Sequence, residues 1–152
     1  MPARRRLLAA GSATLALAAL TSCEKPAPLV TLVSGGQSVY TEANLYCFAD
    51  DQTVESGECA ERAQGATRLE VRQGETVGVD VGKDLVERGW RVQLGSSENP
   101  DQVQASGVLE DQHYFAFTAP PVPAEGTPLT VVTVDEDDAT TGEWLFELVP
   151  AD

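Results

Sequence analysis

Three groups of residues in this chain have the types to do chemistry: the cysteines, one dense run of carboxylates and a lone histidine. Ala49 to Gly65 is a long polar stretch that holds Cys59, and Cys47 and Cys59 flank its first part, Ala49 to Glu58. In an oxidising compartment such a pair is expected as a disulfide that clips the intervening segment into a fixed surface loop. A metal pair or a redox pair is the alternative, but the spacing is not Cys-x-x-Cys and no histidine stands nearby. Asp135, Asp137 and Asp138 surround Glu136 and precede Glu143, so oxygen ligands of the kind Ca²⁺ takes are concentrated there. The alternating Asp-x-Asp-x-Asp-Gly order of a calcium loop is missing. Adjacent carboxylates in a turn point different ways, so a solvated hairpin tip is the competing account.

His113 is the only histidine, and any Ser- or Cys-based catalysis that borrows an imidazole would run through it. It precedes a strand-like segment with no serine or carboxylate placed beside it by motif. Gly-x-Ser-x-Gly, phosphate-loop and zinc spacings are all absent from the sequence. No catalytic residue is assigned. Trp90, Trp144 and the pair Tyr40 and Tyr46 could line a ligand pocket, yet aromatic residues at strand period belong more often to a core.

The third cysteine, Cys23, sits at the end of a different element. Arg4, Arg5 and Arg6 precede an apolar run from Leu7 to Leu20, and Thr21-Ser22 follow. A basic, an apolar and a small-residue region in that order form a secretory signal, too short to be a membrane-spanning helix. Leu20-Thr21-Ser22-Cys23 resembles the lipobox of bacterial lipoproteins, in which the cysteine thiol receives a diacylglyceryl group and becomes the new N-terminus. That resemblance implies residues 1–22 as a cleaved signal and Cys23 as the lipidated residue, leaving Cys47 and Cys59 to pair. Two acyl chains hold a protein stably at a membrane where one does so only marginally. Glu24-Lys25-Pro26-Ala27-Pro28 reads as a semi-extended tether, residues 23–28, of about 15–20 Å. Either the general or the twin-arginine export route fits the arginines.

Removal of the leader leaves about 130 residues, the size of one domain with a single core. It also removes three arginines from a chain whose net charge is already −14. Such acidity excludes nucleic acid as a partner, because phosphates would repel it. It also argues against the domain lying flat on anionic lipid.

Residues 29–152 carry the periodicity of strands. Leu69 and Val71 alternate with Arg68, Glu70 and Arg72, and Val77, Val79 and Val81 recur at period two. Trp90, Val92 and Leu94 point one way from a further strand, and Trp144, Phe146 and Leu148 from the last. Leu29 to Val33, Val39 to Phe48, Tyr114 to Thr118 and Leu129 to Val134 complete the set, with a weak strand near Val103 to Leu109. Only Lys83 to Arg88 has room for a helical turn. The expected fold is an all-β sandwich of seven to eight strands, immunoglobulin-like or fibronectin-like, with Trp90 and Trp144 as core anchors.

Cys23-Glu24-Lys25-Pro26, Glu87-Arg88-Gly89-Trp90-Arg91-Val92 and Gly142-Glu143-Trp144-Leu145-Phe146 together resemble a group of small actinobacterial envelope lipoproteins classed as a domain of unknown function. The resemblance implies a protein anchored on the extracytoplasmic face of the cell membrane and brings no catalytic residues. The expectation is a monomeric, non-catalytic binding module with no cofactor beyond the covalent lipid. Its partner is expected in the envelope, met through the clipped loop at 47–59 or the acidic hairpin at 135–143. A small-ligand or metal-ion carrier and a hydrolase are the alternatives.

Overall fold

The computed structural model describes residues 25–62, 64–95 and 103–151. The leader and Cys23 lie outside the described residues. In chain order the first strands are β1 (Leu29–Ser34), β2 (Gln37–Glu42), β3 (Leu45–Tyr46) and β4 (Ala60–Glu61). Then come β5 (Thr67–Val71), β6 (Thr76–Val81), helix α1 (Lys83–Arg88), β7 (Trp90–Leu94) and β8 (Gln104–Ala105). The chain closes with β9 (Tyr114–Thr118), β10 (Thr127–Val134) and β11 (Thr140–Pro150).

These strands form two sheets. One has the order β2-β1-β6-β9, and the other runs β4-β3-β11-β10-β7-β8 with β5 added against β11. All pairings are antiparallel except β5 with β11, which is parallel from Phe146–Thr67 to Pro150–Val71. The all-β sandwich expected from the alternation is what forms. Eight strands have five residues or more, and three two-residue strands extend the second sheet.

One core fills the space between the sheets. Val30, Leu32, Val77 and Val79 from the first sheet meet Leu69, Val71, Leu129, Val131 and Leu148 from the second. Trp90, Trp144 and Phe146 are buried among them. Each indole N–H has a partner, as a buried tryptophan requires. Trp90 donates to the Gln112 carbonyl and Trp144 to the Pro28 carbonyl, both at 2.8 Å. The second of these bonds pins the lead-in to β1. Ala27 is buried as well, so the fold takes hold of the chain inside the segment read as tether.

The segment Val39 to Phe48 is not one strand. It leaves the first sheet after Glu42 and enters the second at Leu45, and Asn44 makes the crossing. Its Nδ2 donates to the Gln64 carbonyl at 2.8 Å and its Oδ1 accepts from the Leu145 N–H at 3.0 Å. Its own N–H donates to the Glu143 carbonyl at 2.8 Å. A buried amide so fully satisfied can end one ladder and start another without orphaning backbone groups. The crossing also separates the two tyrosines: Tyr46 faces the core, whereas Tyr40 is 68% exposed on the outer face of β2.

Elsewhere the alternation is modified at edges. Leu94, expected inward, is only half-buried at the end of β7. Phe115 and Phe117 share a face but lie on the edge strand β9, half-buried and stacked at 6.4 Å between ring centroids.

Candidate functional site

Val30 pairs with Val81 and Leu32 with Val79, so the start of β1 lies beside the end of β6, from which α1 emerges. The loop after β3 and the turn between β10 and β11 project at this same end, where α1 packs against β10. Leu85 anchors the helix in the core, and Gly89 ends it at φ 86, a conformation that favours glycine. The end of β11 and the connection from Ala119 to Gly126 lie at the other end, where Ala151 N–H bonds to the Val71 carbonyl.

Cys47 and Cys59 are joined by a disulfide, and Cys47 is fully buried. The loop they enclose is ordered from within by a 3-10 turn, Val54–Ser56, over which the Ser56 hydroxyl donates to the Thr53 carbonyl at 2.6 Å. Arg88, at the end of α1, holds the loop from outside. Its Nη1 donates to the Cys47 carbonyl at 2.8 Å and its Nη2 to Asp50 Oδ1 at 3.2 Å. The guanidinium also lies 5.1 Å from the centroid of the Tyr46 ring. Only 17% of the Arg88 side chain is exposed, which partly shelters its charge-assisted bond to the Cys47 carbonyl, whereas Asp50 is 99% exposed and its ion pair lies open to water. Burial pushes the Tyr46 hydroxyl above the ordinary phenol range, with the Arg88 charge opposing the shift.

The acidic hairpin is organised by its own carboxylates. Asp135 Oδ1 accepts from the N–H groups of Asp137 at 3.0 Å and Ala139 at 2.8 Å, a side-chain turn typical of aspartate. Asp138 adopts φ 65 and receives Arg91 Nη1 at 2.7 Å. Glu143 stands back on β11, opposite Val132 and Leu45. It is half-buried, and that burial raises its carboxyl above the usual carboxylate range. Asp135, Asp137, Asp138 and Glu143 are therefore spread over a turn and a strand. Among the described residues no three Asp, Glu, His or Cys side chains gather into a set that could hold a metal ion.

What the tertiary structure does bring together is the two loops. A cleft of about 660 Å³ lies between them. Tyr46, Phe48 and Asp50 form one wall, α1 contributes Asp84, Glu87 and Arg88, and Val134, Asp135, Glu136 and Asp137 close the hairpin side. Lys25, from the lead-in to β1, and Thr141 on β11 complete the lining. A second cleft of about 790 Å³ lies on the other flank of α1, toward Arg91 and Val108. His113 lines neither cleft; it is exposed, with Nδ1 3.2 Å from the Val81 carbonyl.

Arg88 and Lys25 are site residues that pattern reading passes over. Arg88 looks like the end of a solvated helical turn, and only its place before Gly89-Trp90 hints that the turn is anchored.

Among the described residues no helix is long and apolar enough to cross a membrane. No curated protein matches the chain. A family model described as a protein of unknown function, DUF2771, matches residues 23–138, beginning at Cys23 and ending in the acidic hairpin. The matched span holds both walls of the cleft and most of the chain, and the protein belongs to this family.

Proposed function

We propose that this protein is an exported lipoprotein, anchored through a diacylglyceryl group on Cys23 to the extracytoplasmic face of the cell membrane. Its β-sandwich acts there as a non-catalytic binding module. The domain plan is a cleaved signal over residues 1–22, the lipidated lead-in 23–28 and the sandwich from residue 29. The basic and apolar leader ending in Leu20-Thr21-Ser22-Cys23 supports the anchor, and the Cys47–Cys59 disulfide suits an oxidising compartment. The observation that carries the binding reading is that the disulfide-clipped loop, tied to α1 by Arg88, and the acidic hairpin line one cleft. Rigid loops at one end of a sandwich are a usual recognition surface.

A carrier with its pocket between the sheets is served less well. That space is occupied by Trp90, Trp144 and Phe146, and the clefts of adequate size lie outside it, lined mainly by charged side chains.

Two measurements test the proposal. The N-terminal peptide of the protein isolated from membranes should carry the mass of a lipidated cysteine, and Cys23→Ala should move the protein to the soluble fraction. A thermal-shift panel of Ca²⁺, other metals, sugars, lipids and peptides tests what the module binds. A ligand at 100 times its dissociation constant adds about 2.7 kcal/mol of apparent stability. A shift with a small sugar or metal ion that survives substitution of Asp84 and Asp137 would remove the cleft from the account.

A further inference from the structure

The first sheet ends in β2 on one side and in β9 on the other. The β2 edge is covered by its own chain: Gln64 Nε2 donates to the Glu42 carbonyl at 2.8 Å, and Arg62 pairs with the Glu42 carboxylate. Among the described residues nothing pairs with the outer side of β9. The Val81 N–H donates to the His113 carbonyl at 2.9 Å and the Ala119 N–H to the Glu75 carbonyl at 2.8 Å. Those bonds fix the odd-numbered residues of β9 as the ones that bond to β6. The backbone N–H and C=O groups of Tyr114, Ala116 and Thr118 therefore point out from the edge, and all three residues are exposed. Native edges are blunted by charges, prolines or bulges, and Tyr-Phe-Ala-Phe-Thr in unbroken register has none of these.

What fits this edge is a second β9. The chain has a net charge of −14, so most contacts between two copies would oppose carboxylates, but β9 contains neither Asp nor Glu. Set antiparallel about a two-fold axis at Ala116, Tyr114 of each copy faces Thr118 of the other. In that register Asp111 stands across from Pro121 and Glu110 from Val122, so no like charges meet. The three outward residues of each strand then exchange about six backbone hydrogen bonds. Phe115 comes opposite Phe117 of the second copy in the closer, non-hydrogen-bonded pairing. Within one chain these rings are half-buried and stacked at 6.4 Å, and the pairing gives each an aromatic neighbour across the ladder. A two-fold contact consumes the open edge of both copies, so the assembly closes as a dimer.

We propose that two copies of this protein pair antiparallel through Tyr114–Thr118 and join their first sheets into one continuous sheet. The dimer takes the place of the monomer expected from the sequence. It uses neither the cleft nor Cys23, so it goes beyond the binding reading and stands or falls apart from it.

The test uses the full-length protein in the cells that produce it, with a photoreactive residue in place of Thr118 on β9 or of Ser38 on β2. Position 118 should yield a product of two chains, with peptide mapping placing the link at β9 of the second copy. Position 38 should yield none. Ala116→Pro removes the central outward N–H, which β6 does not use, and should cut the yield from position 118 by about fivefold or more. Its melting temperature should stay within about 5 °C of its parent's. Ala116→Ser keeps that N–H and should leave the yield unchanged. As a second reading, the protein extracted in mild detergent should have the mass of two chains, and Thr118→Lys, a charge on the edge, that of one. Links from 118 only to other proteins or to lipid would give the edge to a different occupant and overturn the proposal. A single-chain mass without links from 118, a two-chain product from position 38, or a dimer indifferent to both edge variants overturns it as well.

Discussion

Arg88 Nη1 donates to the carbonyl oxygen of Cys47 at 2.8 Å, across 41 residues of sequence. The bond ties the end of the only described α-helix to one foot of the disulfide, and Nη2 extends the grip to Asp50. The arginine also lies over the Tyr46 ring, so one side chain sets the spacing between α1 and the clipped loop. A hydrogen bond to a charged group contributes about 1.5–3 kcal/mol, which here applies to the part-buried bond to Cys47, whereas the exposed Asp50 pair adds little. Arg88→Ala is expected to destabilise the domain by about 2–3 kcal/mol. Amide exchange at residues 48–58 should accelerate while the disulfide stays intact. Arg88→Lys should recover part of the loss, because an ammonium cannot reproduce the fork. Unchanged exchange in the Ala variant would mean the loop is held by the disulfide alone.

The disulfide makes its own contribution. Cys47 and Cys59 are 12 residues apart in sequence, and closing a loop of that size restricts the unfolded chain by roughly 3 kcal/mol in the chain-entropy model. The double variant Cys47→Ala/Cys59→Ala should melt on the order of 10 °C lower. Thiol titration of the unreduced wild-type domain, denatured, should find neither cysteine free.

Trp144 links the core to the lead-in. Trp144→Phe keeps most of the ring but leaves the Pro28 carbonyl without its donor, at a cost of about 1–3 kcal/mol. The expected signature is local: amide exchange at Ala27, beside the Pro28 carbonyl that loses its donor, should quicken more than exchange elsewhere. Protection at Ala27 unchanged from the wild type would show that Ala27 packing suffices to hold the segment.

Glu143 gives a pH dependence with a definite sign. Burial raises its carboxyl in the folded state, so the native protein binds the proton more tightly than the unfolded chain. Its contribution to stability is therefore best below the ordinary glutamate range and declines as pH rises through the raised value. Glu143→Gln should raise the melting temperature at pH 7, and the gain should vanish in acid. An equal gain at both pH values would assign the effect to something other than ionisation.

Gly78, in the middle of β6, is where Tyr114 from β9 crosses the outer face of the first sheet. A β-carbon at 78 would overlap the tyrosine ring. Gly78→Ala is expected to cost about 1–3 kcal/mol by overpacking. In a Tyr114→Ala background the same change should be neutral or gain about 0.5–1 kcal/mol, since alanine loses less backbone entropy than glycine. Additive effects in the double-mutant cycle would refute the contact.

Much of the architecture was legible because strand periodicity is local. Leu69 and Val71, Val77 to Val81, and Trp144 to Leu148 each show their buried face in the residue order itself. The pairing of Cys47 with Cys59 was legible too, from the number of cysteines left after the leader and the compartment the leader implies. What alternation cannot carry is the identity of the neighbour. The parallel β5–β11 ladder, the crossing of Asn44 between sheets and the separation of Tyr40 from Tyr46 depend on hydrogen bonds between residues distant in sequence. The cleft belongs to the same class. The clipped loop and the acidic hairpin were each visible as candidates, but only the folded chain brings them, with Arg88 and Lys25, onto one cleft. A hydrophobic pattern specifies which face of a strand is buried; which loops then share an end is decided by how the sheets close around the core.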